Sequence, residues 1–332
     1  MRSRLLAPLF ATALVGLVHC SAGERAGFDP DEPEPTSTEE SASSSAGGPT
    51  TGFGDQAAGD GGKNGACTED IDVVLVLDVS SSMNFVLQKL ESEIEKVVTA
   101  SNALKEGAHF GLVFFVDNAA MSTTGDEAGG KVHTTAATMR AAFADTRKTY
   151  TARDRNPGDG PSGPPQQNPI CEENALDALH MAATEFPWRK NAARIVIVAT
   201  DDTFIEAPDN YGDRDNDGKT DKTDFPREGD YPAKYTLDET IDALKKAGVR
   251  VFSFTRLKPP GLFEGGGCGT GRRHTESDAI AFGWSKPYKG KDPIPVQTGG
   301  KNFDLAAVRS GSLSLATTIN EIVLESRCAG PK

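Results

Sequence analysis

Asp78-Val79-Ser80-Ser81-Ser82 sets one carboxylate and two hydroxyls on alternate residues. All three are hard oxygen donors, the beginning of a shell for Mg²⁺, Mn²⁺ or Ca²⁺. The same residues also suit the cap of a following helix. A turn at the carboxyl end of a central strand directs such side chains into one crevice, and the spacing favours a cation over a cap.

The elements that must position this loop follow from the apolar pattern. Val73 to Leu77 is apolar and mostly β-branched, which predicts a strand buried on both faces, as in a parallel sheet. Phe85 to Leu104 carries Val86, Leu90, Ile94, Val97 and Leu104 at helical spacing. His109 to Val116 is a second apolar strand, ending in Asp117. Lys131 to Thr134 reads as a short edge strand, with a helix near Thr138 to Asp145. Glu173 to Phe186 is helical and stops at Pro187, and Arg194 to Ala199 is another doubly buried strand, ending in Thr200-Asp201-Asp202. Leu237 to Ala247 forms a helix closed by Gly248, followed by a strand from Val249 to Phe254. Ile294 to Gln297, a turn at Gly299-Gly300 and a helix from Leu313 to Glu325 complete the chain. Repeated βα units predict an α/β fold with a doubly wound, mostly parallel central sheet and helices on both faces. Residues 67–332 form one domain, with insertions at 203–235 and 258–293.

In such a sheet, loops at the carboxyl ends of neighbouring central strands share a crevice. Three segments then offer Asp78, Ser80 and Ser82, Glu173, and Asp201, with no His or Cys among them. That argues against zinc and suits an octahedral Mg²⁺-type ion, with Mn²⁺ or Ca²⁺ as alternatives.

These residues resemble the von Willebrand factor type A family, whose metal-ion-dependent adhesion site begins with Asp-x-Ser-x-Ser after the first strand. The family's second loop usually supplies a Thr, and 157–174 contains none. Glu173-Asn174-Ala175-Leu176-Asp177-Ala178 is instead similar to the Glu-Gly-Gly-Phe-Asp-Ala segment of integrin β-subunit I-like domains, where the glutamate is the ligand. Phe115-Val116-Asp117 and Ala199-Thr200-Asp201 resemble the same subfamily, and Asp201 matches the third-loop aspartate. The resemblance covers roughly Cys67 to Cys328 and implies a Rossmann-like fold with the ion at Asp78, Ser80, Ser82, Glu173 and Asp201. Asn84-Phe85 stands where integrin β domains carry acidic residues for an adjacent ion, so that site is not expected. For a third ion Asp117 and Asn168 match, but Ile170 replaces an aspartate, and none is expected.

A second motif spans Asp213 to Asp224. Asp213, Asp215, Asp217, Asp221 and Asp224 fall at positions 1, 3, 5, 9 and 12, with Gly218 at 6 and Lys219 offering its carbonyl at 7. This is the spacing of an EF-hand calcium loop, without the flanking helix pair. A solvated acidic turn is the alternative.

The remaining sequence concerns delivery. Met1 to Cys20, with arginines at 2 and 4 and an apolar stretch from Leu5 to Val18, reads as a secretory signal. Residues 21–66 carry nine carboxylates against Arg25 and Lys63, and predict a disordered acidic Ser/Gly/Pro tether. Cys20 resembles the lipid-modified cysteine of a bacterial lipoprotein, although His19 stands where a small residue is expected; cleavage near Ala22 or Gly23 is the alternative. Either route leaves Cys67, Cys171, Cys268 and Cys328, hence two disulfides in an oxidising compartment. Cys67 precedes the first strand and Cys328 ends the last helix, so 67–328 with 171–268 is expected, and 67–171 with 268–328 is the alternative.

The net charge of −13 over 332 residues disfavours nucleic acid and anionic membranes as partners. A membrane is expected only through a lipid anchor. Histidines 109, 133, 180 and 274 fall in no catalytic pattern, and no nucleophile elbow, His-Glu-x-x-His or phosphate loop occurs. The expectation is a non-enzymatic, cell-surface or periplasmic adhesion domain, with a protein partner's carboxylate completing the metal shell. A metal-dependent hydrolase and a structural domain whose ion only stabilises loops remain the alternatives.

Overall fold

The computed structural model describes residues 70–153, 155–160, 172–208, 232–257 and 281–327. Six strands form one sheet in the order β3-β2-β1-β4-β5-β6. They are β1 (Asp70–Asp78), β2 (His109–Phe115), β3 (Ala119–Met121), β4 (Ala192–Thr200), β5 (Arg250–Thr255) and β6 (Asn302–Asp304). All neighbours pair in parallel except β3, which runs antiparallel to β2. The α-helices among the described residues are α1 (Asn84–Leu104), α2 (Ala136–Thr149), α3 (Ala175–Glu185), α4 (Leu237–Lys246), α5 (Ile294–Thr298), α6 (Leu305–Arg309) and α7 (Leu315–Arg327). The fold is α/β and doubly wound, as its alternating pattern predicts.

The continuous apolar run of β1 is explained by burial on two faces. Ile71, Val73, Leu75 and Leu77 pack into one layer with Ile94 of α1, Phe143 of α2 and Ile319 of α7. Val74 and Val76, one residue out of phase, face the opposite layer with Leu176 and Leu179 of α3 and Ile241 of α4. Because β1 lies between β2 and β4, its carboxyl end is flanked by theirs. Gly111 on β2 allows the Phe186 ring to lie against the sheet, since a Cβ there would stand 2.6 Å from two ring carbons.

The edges differ from expectation. Lys131 to Thr134 is not a strand; Val132 and His133 form only single bridges, to Glu127 and Phe110. The β2 edge is covered instead by β3, whose Ala-Ala-Met sequence carries no alternation that marks a strand. At the other edge, β6 is set beside β5 by the turn at Gly299-Gly300. No helix among the described residues is long and apolar enough to cross a membrane.

Candidate metal centre at the carboxyl end of the sheet

Asp78 closes β1 with its carboxylate buried. Oδ1 accepts the Ser80 amide at 2.7 Å, and Oδ2 accepts the Thr200 hydroxyl from the end of β4 at 3.0 Å. The first bond folds the chain over the aspartate and turns both serines to the same side. Ser80 and Ser82 hydroxyls then meet at 2.9 Å, and Ser82 donates to Asp201 Oδ1 at 3.2 Å. Asp78, Ser80, Ser82 and Asp201 thus form one connected group spanning the ends of β1 and β4. Met83 lies fully buried beneath the loop, and the Thr151 hydroxyl donates to the Val79 carbonyl at 3.3 Å.

Glu173 reaches this group by its backbone. Its amide donates to the Thr203 carbonyl at 3.1 Å, and its carbonyl accepts from Ile205 at 3.2 Å, so it lies beside the chain leaving β4. The next amide, Asn174, donates to the Val116 carbonyl at 2.8 Å, fastening the segment to the chain leaving β2. The Glu173 side chain is buried, and its Oε2 meets no hydrogen-bond donor among the described residues.

The electrostatics are those of carboxylates held away from water. Burial, reinforced by Asp201, pushes Asp78 up to about 7. Burial also raises Glu173 well above the usual carboxylate range, with Asp78, Asp117, Asp201 and Asp202 all adding to the effect. Asp117 is fully buried and accepts from Asn156 at 3.1 Å. Arg256, just past β5, places Nη2 2.8 Å from Asp201 Oδ2.

The donor set fits a hard divalent ion, because it offers only carboxylate and hydroxyl oxygens and includes a buried oxygen with no hydrogen-bond donor. Among the described residues, however, no three His, Cys, Asp or Glu side chains are gathered into a closed cluster. Asp201 is shared between Ser82 and Arg256, so the site is connected without being contracted.

Several neighbours brace the site. Asp177, in the first turn of α3, is buried and accepts from Lys234 at 3.0 Å, Tyr235 at 3.2 Å and Asn174 at 3.0 Å. Glu172 is buried as well. The stems flanking 209–231 are further joined by Ala207 to the Tyr235 carbonyl at 3.0 Å and by Glu206 accepting the Leu237 amide at 3.0 Å. Trp284 is a packing residue, donating to the Asp202 carbonyl at 3.0 Å and standing edge-on to Phe204. Thr200 and Arg256 were not anticipated as site residues. Strand register points to both, since Thr200 pairs with Thr255 and the next residue on each strand is Asp201 and Arg256.

The calcium-loop residues Asp213, Asp215, Asp217, Lys219, Asp221 and Asp224 lie outside the described residues, as do Cys20, Cys67, Cys171, Cys268 and Cys328, Asn168, Ile170, and the signal and tether.

No protein-family profile and no curated protein matches the chain. Solved structures do. A proximal thread matrix protein from the mussel byssus aligns at TM-score 0.42 and 13% identity, over 79% of this chain and 48% of its own. This chain therefore spans about half the length of that protein. An aerotolerance-related membrane protein from Bacteroides fragilis aligns at TM-score 0.39 and 14% identity, over 77% of this chain and 98% of its own. A von Willebrand factor type A protein from Catenulispora acidiphila aligns at TM-score 0.38 and 13% identity, over 78% and 43%.

Proposed function

We propose that this chain is an exported, divalent-cation-dependent binding domain that takes a carboxylate of a protein partner at the carboxyl end of its sheet. The observation that carries the reading is the linked group of Asp78, Ser80, Ser82 and Asp201, with the buried Oε2 of Glu173, which meets no donor among the described residues, held against the same strand ends. Asp78, Ser80 and Ser82 would hold Mg²⁺, or Mn²⁺ or Ca²⁺, from the first loop, Glu173 from the second and Asp201 from the third. A bound divalent ion supplies an electrophilic point for a partner's oxygen. Thr200 and the Ser80 amide fix the Asp78 carboxylate, and burial keeps water from competing for it.

The serine hydroxyls support a binding role over hydrolysis. They bond to each other and to a carboxylate, the arrangement of a ligand shell and not of a nucleophile with its base. Export on a lipid anchor, the two disulfides and a separate Ca²⁺ at 213–224 belong to the same proposal.

Titrating Mn²⁺ into the purified chain by calorimetry tests the reading. The wild type should bind at the crevice, and Asp78→Ala should abolish that binding while the chain stays folded. Capture of partners from the native envelope should require Mg²⁺ and fail in EDTA and with Asp78→Ala. Partner capture that survives Asp78→Ala would place the binding surface elsewhere.

A further inference from the structure

Within the acidic end of the sheet, Asp201 is held from two sides. Oδ1 accepts from Ser82 at 3.2 Å, and Oδ2 faces Arg256 Nη2 at 2.8 Å. Neither partner of the ion pair is a loose surface group, for the Arg256 side chain is 12% exposed and that of Asp201 10%. The pairing is set by the backbone. Thr200 of β4 lies opposite Thr255 of β5, so the two residues leave adjacent strands side by side. An arginine so placed is a permanent positive charge, since guanidinium keeps its proton at any physiological pH.

Resting on the cation reading above, we propose that Arg256 is the crevice's own counter-ion and sets the threshold for cation loading by competing for Asp201. A divalent ion that draws on Asp201 must share or displace a nearly buried guanidinium. Separating that pair is costly where water is scarce, because a charge-assisted bond is lost and the guanidinium needs a new partner. The ion therefore binds less tightly than its carboxylates alone would allow. Loading then responds to cation concentration instead of being permanent. The same contact keeps the Asp201 loop in place at low cation concentration, by holding one of its carboxylate oxygens.

Arg256→Gln removes the competing charge and keeps a planar polar group of related length. Arg256→Lys keeps the charge but loses the fork geometry. Arg140→Gln removes the same charge from the exposed pair between α2 and Glu95 of α1, and serves as the control. Mn²⁺ affinity is read by calorimetry on the full chain, with folding checked by thermal unfolding in EDTA. Arg256→Gln should bind Mn²⁺ about tenfold more tightly than wild type, with Arg256→Lys between them and Arg140→Gln within about twofold of wild type. Placed on Asp201→Asn, the Arg256→Gln change should have no further effect on Mn²⁺ affinity, because the contested carboxylate is gone. Wild-type-like or weaker Mn²⁺ binding by folded Arg256→Gln overturns the inference and leaves the cation reading intact. If Arg256→Gln does not fold, Arg256→Lys decides, and affinity no higher than wild type overturns the inference. Absence of Mn²⁺ binding in every chain overturns both.

Discussion

Burial raises a carboxyl group above its ordinary value at both ends of this sheet, but the two ends answer it differently. At the amino end, Asp72 is fully buried on β1 and meets Arg189, which gives its amide and Nε to the two carboxylate oxygens at 2.7 Å each. The same guanidinium donates to the Gly107 carbonyl at 2.9 Å and the Ile71 carbonyl at 2.7 Å. Arg194 donates to the Ala247 carbonyl and Arg250 to the Gly299 carbonyl, so the entrances to β4 and β5 are closed in the same manner. At the carboxyl end, Asp78 and Glu173 are buried within electrostatic reach of each other, and Arg256 pairs with Asp201. A buried carboxylate answered by the chain's own cation is a closing group. One set among other carboxylates carries a burial cost that the proposed cation would relieve.

The largest expected effect tests the closed end. Asp72→Ala removes the buried carboxylate that accepts from Arg189, leaving that part-exposed guanidinium with Asp70 at 3.6 Å, and should destabilise the domain by about 3 kcal/mol in denaturant unfolding, whether or not Mg²⁺ is present. The open end should respond with the opposite sign. In EDTA at pH 8, Asp78→Asn should stabilise the domain by roughly 1–3 kcal/mol, because it removes a buried charge and its repulsion with Asp201. Destabilisation by Asp78→Asn in EDTA would make the two ends alike and remove the contrast.

The pH dependence of that difference sharpens it. Asp78 holds its proton up to about 7 in the folded chain, against an ordinary value of 3.8, so folding takes up a proton between those values. The advantage of Asp78→Asn in EDTA should therefore be absent below about pH 4, grow as pH rises, and level off above 7. Saturating Mg²⁺ should reverse it. The smallest effect belongs to the amino end. Burial and Arg189 hold His109 below its ordinary 6.5, so the folded chain resists its protonation. Stability should fall slightly as pH drops through 6.5, and His109→Gln should remove that loss, a few tenths of a kcal/mol after solvent screening.

This contrast also explains what was legible in the sequence. β1, β2 and β4 are plain because burial on both faces demands unbroken apolar runs, and the metal-type loop is plain because Asp78, Ser80 and Ser82 are contiguous with β1. Asp201 follows from the same logic at the end of β4. The edge strands β3 and β6 escape notice because three residues against one neighbour impose no periodicity, and Lys131–Thr134 imitates an edge strand while making single bridges. Arg256 escapes for a different reason. A lone arginine after a strand has no local signal, and only the pairing of Thr200 with Thr255 brings it to Asp201. Asp177 resembles any acidic residue in the first turn of a helix until the stem at 234–235 is seen to fold onto it.

That stem has a consequence for how the molecule can vary. Ala207 bonds to Tyr235, Glu206 receives Leu237, and Asp177 holds Lys234 and Tyr235, so the chain departs and returns through a doorway latched to α3. With the doorposts fixed, a flexible segment joining them costs only the slow logarithm of loop closure, about 0.6 kcal/mol for each doubling of its length. Flexible segments of quite different length put in place of residues 209–231 should thus leave the register of the sheet behind the door unchanged.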